Sequence, residues 1–269
     1  MFQSYYGLDL TGKLDDNTVA SIHTPRCTVM DMLSGWDGRG KVENFNIRDR
    51  WDKKELTWRV TKFPDNDLSP DQVIETMERA FKVWEQHADL RFYQVDSGVG
   101  DIEIRFESGD HGDGDPFDKS GGTLAHAFFP RQGRVSGDIH FDDDEFWTLG
   151  SFSGINLTQV TINRFAYKIK TSNQNHRDFA GNSTSILLYV LQLYLDIYHA
   201  KVAVHEIGHS LGLEHTNVRG AIMFPSYEGY RPNLDLAQDD IAGIQVSCDT
   251  CALASKKRKS KVLHHNYRQ

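Results

Sequence analysis

The sequence is short of cysteine, of long apolar runs and of basic charge in its main body. It has three cysteines in 269 residues: Cys27, Cys248 and Cys251. Three cannot all pair within one chain, so this is no disulfide scaffold. Its longest apolar run, residues 186–198, is broken by Gln192 and Asp196. A membrane-spanning helix needs about 20 apolar residues, so this run is too short. The opening MFQSYYGLDL has no basic start leading into an apolar core, as a secretory signal would. A cytosolic protein and a fragment of a secreted one both remain open on that ground, and the motifs below favour the fragment.

Charge is uneven. Residues 256–269 carry six Lys/Arg and no acid, which leaves 24 basic against 38 acidic groups elsewhere. Such an acidic body argues against nucleic acid as a partner. Many of the acids gather at 110–145, as expected for hard cations. An apolar content of 39% and a charged content of 25% are ordinary for a globular chain and exclude collagen, coiled coil and wholesale disorder.

The periodic pattern alternates strands and helices. Residues 1–50 are polar and turn-rich, with SGWDGRG at 34–40 reading as linker. LTWRVT at 56–61 reads as a strand. Ser69, Pro70 and Gln72 make a capping box with proline at the first helical position. Val73, Met77, Phe81, Trp84 and Ala88 follow as one apolar stripe. In DIEIRF, Ile102, Ile104 and Phe106 alternate inward as a strand, and residues 124–129 and 138–141 are short strand candidates. Helices are expected over 201–211 and over 236–247, the latter capped by Asp235.

The chemistry is concentrated in His205-Glu206-Ile207-Gly208-His209-Ser210-Leu211-Gly212-Leu213-Glu214-His215. Helix positions i and i+4 share a face, so His205 and His209 can hold one metal ion. Glu206, one position on, can reach a water bound to that ion. Gly212 can adopt positive φ, end the helix and return the chain so that His215 supplies a third ligand. Three neutral imidazoles with an open fourth position suit catalytic zinc. Three further histidines and one acid, His111, Asp113, His126 and His140, could close around a structural zinc, though scattered loop histidines taken alone are more often solvated.

With these motifs the sequence resembles the matrix metalloproteinases, within the metzincins. The match covers residues 1–157 and 201–247. It implies an α+β fold: a metzincin catalytic domain with a twisted, five-stranded, mostly parallel sheet, two long helices and a small C-terminal lobe. It implies catalysis by Glu206 on a zinc held by His205, His209 and His215, with Met223 in a turn beneath the metal. Structural zinc falls to His111, Asp113, His126 and His140. Calcium falls to Asp118, Lys119, Gly121, Thr123, Asp142 and Glu145, with Asp101 and Asp138 at a further site. Lys119 stands where the family usually has glycine. Leu124, Ala125, Pro225 and Tyr227 resemble the substrate pocket.

Pro25-Arg26-Cys27-Thr28-Val29-Met30-Asp31 resembles the family's propeptide switch, in which a cysteine ligates the catalytic zinc. An Arg26–Asp31 ion pair would fix that loop. Thr28 and Met30 depart from the family's Gly and Pro. The implied division is the end of an inhibitory propeptide with linker at 1–50, a catalytic domain at 51–247, and a basic tail or truncated linker at 248–269. The implied protein is a monomeric extracellular endopeptidase whose own signal peptide is missing from this sequence. It would act on protein or peptide substrates and be subject to proteinaceous metalloprotease inhibitors. The alternative is a secreted, metal-stabilised binding module with a blocked cleft. Residues 158–200 resemble nothing in the family. They read as an insertion or, the reading adopted, as translated non-coding sequence, because family-like sequence resumes at Lys201.

Overall fold

A computed structural model of the chain describes residues 2–31, 45–65, 68–149, 155–158, 201–227 and 235–248. The unmatched stretch, apart from residue 158, and the basic tail, apart from Cys248, lie outside the described residues, as do the SGWDGRG linker and Cys251. The elements in chain order are α1 (Phe2–Tyr5), α2 (Asp16–Ile22), β1 (Arg26–Cys27), β2 (Glu55–Lys62), α3 (Pro70–Glu85), β3 (Arg91–Gln94), β4 (Ile102–Glu107), β5 (Thr123–Ala127), β6 (Ile139–Asp142), β7 (Trp147–Leu149), β8 (Ile155–Thr158) and α4 (Lys201–Ser210). A further helix, α5, runs through residues 238–248.

Six strands form one sheet in the order β1-β5-β6-β4-β2-β3, and β7 pairs with β8 in a second, two-stranded sheet. In the large sheet only β5 and β6 run antiparallel. Five of its strands are the expected mostly parallel sheet. The sixth, β1, comes from the N-terminal segment, which the sequence pattern did not mark as strand. Two residues are too few to show a period, and their pairing is entirely tertiary.

Helix α3 starts where the capping box puts it. Ser69 Oγ accepts from the Gln72 amide, and Gln72 Oε1 accepts from the Ser69 amide. Val73, Met77, Phe81 and Trp84 are buried on one face. Each such side chain contributes roughly 1.5–3 kcal/mol. Ala88 lies beyond the helix end, half-buried against the core. On β4, Ile102, Ile104 and Phe106 are fully buried, as the alternation requires. Helix α5 opens at 238, two residues later than expected. The Asp240 carboxylate, inside the helix, accepts from the Ala237 amide at that start.

The core fixes α4 against α3. Trp84 Nε1 donates to Val204 O at 3.0 Å. A Cβ on Gly208 would stand 2.3 Å from Met223 Sδ and 3.0 Å from Trp84, so glycine lets α3, α4 and the 221–223 turn close on one another. Among the described residues no helix is long and apolar enough to cross a membrane.

Candidate active site

Helix geometry puts His205 and His209 one turn apart on α4. Gly212 then takes φ +100°, and a Cβ there would stand 1.9 Å from the carbonyl oxygen of Asp49. Both the turn and this close approach demand glycine. The chain reverses and carries His215 back. His205 Nε2 lies 3.1 Å from His209 Nε2 and 3.2 Å from His215 Nε2. Met223 is buried, and Asp240 holds its turn by accepting from the Ile222 and Met223 amides at 2.8 and 3.1 Å.

The outer nitrogens fix the tautomers. His205 Nδ1 donates to Ile222 O and His209 Nδ1 to Leu213 O, both at 2.6 Å; carbonyls only accept. His215 Nδ1 donates to Asp31 Oδ1 at 2.9 Å. All three Nε2 atoms therefore turn lone pairs toward one point, an arrangement that repels itself unless a cation lies between. Burial also drives His205 and His209 far below the usual imidazole range, and lowers His215 against the pull of Asp31. Neutral imidazoles are what a divalent ion needs. Tetrahedral ligands at ~2.0–2.1 Å stand about 3.3 Å apart, close to the spacing here, so the residues fit zinc.

Two more groups complete this site. Cys27 Sγ belongs to the same cage, its four ligand atoms lying within 4.8 Å of one another. The thiol also donates to Glu206 Oε2 at 3.6 Å. Glu206 is fully buried, and its other oxygen finds no partner among the described residues. Burial pushes Glu206 up to about 8, and burial with the Glu206 charge raises the Cys27 thiol well above its usual range.

The cysteine arrives on β1, which lies along β5. The Arg26 amide donates to Gly122 O and the Thr28 amide to Ala125 O. On the other side the Cys27 amide donates to Pro225 O, and the Tyr227 amide to Pro25 O. The N-terminal segment thus lies as an extended chain between the sheet edge and the 225–227 wall. The expected Arg26–Asp31 pair is present at 2.9 Å. Against burial, hydrogen bonds from His215 and Arg26 bring Asp31 down to about 2. Beside the cage, Leu124, Val202, Pro225 and Tyr227 line a cavity with His205 and Glu206. Ala125 pairs in register with Cys27. Lys201, which carried no signal in the sequence, lines the same cavity; buried, it donates to Ser226 O at 3.1 Å.

The second cage is closed. Asp113 Oδ2 lies 2.7 Å from His111 Nε2, 2.8 Å from His126 Nε2 and 2.7 Å from His140 Nδ1. His140 Nδ1 is 3.1 Å from each of the other two ring nitrogens. One carboxylate oxygen serving three rings at this spacing also fits a tetrahedral ion. Burial lowers His126, and burial with the His126 and Arg105 charges takes His140 to about 3.

The expected calcium residues form no such tight group among the described residues. Asp142 and Glu145 are buried. Burial raises both, and the Asp118 charge adds to each, with Asp142 at about 6. Glu145 accepts from the Gly121 amide and Asp118 from the Thr123 amide, so the loop closes on its own carboxylates. Lys119 takes φ 75°, the left-handed conformation for which glycine is the usual residue. Asp101 accepts from Thr57 and Lys53, while Asp138 accepts from the Glu103 amide, so the structure engages these two separately. Asp240 and the Asp31–His215 contact escaped the sequence reading. The Asp239-Asp240 dyad at the start of α5 was the available signal for the first.

The matrixin family model matches residues 50–247. Matrix metalloproteinase-18 of Xenopus laevis is 38% identical over 90% of this chain and 41% of its own length. Stromelysin-2 of Rattus norvegicus is 38% identical over 90% of this chain and 40% of its own. The hatching enzyme of Paracentrotus lividus is 38% identical over 91% of this chain and 32% of its own. The chain thus spans between about a third and two fifths of the length of these curated relatives. The sheet, the two cages and these matches agree: the chain belongs to the matrixin family, whose members are secreted metalloproteases with catalytic and structural zinc and with calcium.

Proposed function

We propose that this chain is the latent form of a zinc- and calcium-dependent endopeptidase acting on extracellular proteins. Residues 1–50 serve as the end of an inhibitory propeptide, 51–247 as the catalytic domain. The observation that carries this reading is the convergence of three imidazole lone pairs beside a buried carboxylate, one oxygen of which has no partner among the described residues. His205, His209 and His215 would hold the catalytic zinc, with Cys27 as the ligand of the latent state. His111, Asp113, His126 and His140 would hold the structural one, and the loops at 118–123 and 142–145, with Asp101 and Asp138, would serve calcium.

Zinc, when bound there, supplies a Lewis acid for the scissile carbonyl and acidifies the attacking water. The remaining work falls to the protein. Once β1 leaves, the β5 edge offers the same backbone donors and acceptors to an extended substrate. Leu124, Val202, Pro225 and Tyr227 then receive the side chain that follows the scissile bond. Glu206 takes a proton from the attacking water and delivers it to the leaving amine nitrogen. A buried carboxylate suits this task, because burial strengthens its hold on the proton in transit.

The test is zinc content together with turnover of a broad peptide library, before and after removal of the N-terminal segment. Glu206→Ala should keep its zinc and lose about 10²–10⁴-fold in turnover. Full zinc with no hydrolysis by the wild-type chain would instead favour a metal-stabilised binding module.

A further inference from the structure

The three imidazoles of the first cage are supported from behind in two ways. His205 and His209 lean on neutral carbonyls, Ile222 O and Leu213 O, both within the same domain. His215 leans on a carboxylate, Asp31, which lies 184 positions upstream and beyond the cysteine of the N-terminal segment. A metal-bound imidazole that donates to a carboxylate is better oriented and more basic. So the third ligand alone has an ionic partner, and that partner belongs to the piece that has to leave.

Asp31 is held in turn. Arg26 donates to both its oxygens, at 2.9 and 3.0 Å. Tyr6 donates to Asp31 Oδ2 at 3.3 Å and accepts from Arg26 at 2.7 Å. Tyr6 is buried, its ring meeting Phe224 edge-on at 5.7 Å. Its carbonyl accepts from Arg219 at 2.7 Å. Phe224 and Arg219 sit on the 216–224 loop that follows His215. Tyr6 therefore joins the carboxylate behind the ligand to the loop next to that ligand.

We infer that the propeptide also acts on the metal centre from behind: the Asp31 carboxylate, positioned by Tyr6 and Arg26, strengthens His215 on the side away from the Cys27 thiol. This rests on the latent-enzyme reading above. Asp31 and Tyr6 are positioning residues, because neither faces the metal point or the substrate. The latent chain then keeps its zinc more firmly than the thiol alone provides, and release of the segment loosens the metal as well as opening the site.

The experiment is zinc retention by the full chain against a chromophoric chelator, with C27S as the reference background because it lacks the thiol ligand. D31N in that background should lower zinc affinity about tenfold to a hundredfold, and D31E should recover part of it. Far-UV circular dichroism should match that of C27S. Y6F keeps the ring and drops only the hydroxyl; it should lower affinity about threefold. If D31N folds and retains zinc as C27S does, Asp31 acts only by fastening the Cys27 loop, and the inference is overturned. If D31N fails to fold, unchanged retention in Y6F overturns it. A wild-type chain that binds no zinc at the first cage would defeat the proposed function itself.

Discussion

The two cages use nearly the same ligands and differ in how those ligands are tied down. At the second cage the four donors come from residues 111–140, and each belongs to the body of the domain. Nothing in that set is free to withdraw. At the first cage three donors lie within 205–215 and the fourth, Cys27, arrives on a two-residue strand from the other end of the chain. Its hold includes a few backbone hydrogen bonds, the Arg26–Asp31–Tyr6 network and the contacts of Tyr6 with Phe224 and Arg219. Removing a short edge strand costs far less than opening a sheet, so on the proposed latent-enzyme reading this is the cage that opens while the other stays closed. An open position is what separates a catalytic zinc from a structural one.

Four substitutions test that contrast. The largest effect is expected for His209→Ala. Turnover after removal of the N-terminal segment should fall by about 10³-fold or more, with zinc lost from one cage only. Loss from both cages would mean that they are not independent. His126→Ala should act on the fold instead, costing about 3 kcal/mol or more. For a catalytic domain of this length that lowers the melting temperature by roughly 6–12 °C, read by circular dichroism. An unchanged melting temperature would remove the structural role.

Gly208→Ala probes the packing beneath the first cage. Its Cβ would meet Met223 Sδ, so a cost of about 1–3 kcal/mol is expected in chemical denaturation. Little change in turnover per folded molecule should accompany it. The smallest effect is expected for Cys27→Ser in the uncut chain, where basal peptidase activity should rise about tenfold. A silent Cys27→Ser chain would mean that the backbone bonds and Asp31 suffice to keep β1 in the cleft.

The zinc helix was readable because its spacing is local. Two histidines four apart share a helix face wherever the helix sits, and Gly212 announced the reversal that brings His215 round. The α3 cap and stripe were readable for the same reason, as was the inward alternation of β4. Helix α5 opens two residues later than its pattern predicts, and Asp240, inside the helix, serves that end and the methionine turn together. A side chain shared between two segments leaves no periodic trace. Strand β3 gave none either: in Arg91–Gln94 only Phe92 packs toward the core, so no alternation stands out. The calcium residues were legible as an acidic, glycine-rich loop. Their individual partners, such as Lys53 on Asp101, were not.

By itself the sequence determined the chemical inventory: a helical pair of imidazoles, a glycine-ended helix with a third, a carboxylate beside the first, and a distant thiol. Those follow from the fixed 3.6-residue turn and from side-chain chemistry, which need no partner. Tertiary structure alone decided that the thiol meets the cage, that Asp31 backs His215, and that Tyr6 closes the network onto Phe224. These contacts join segments far apart along the chain. Their formation depends on packing the N-terminal segment between a sheet edge and a loop, a pairing that no local pattern encodes.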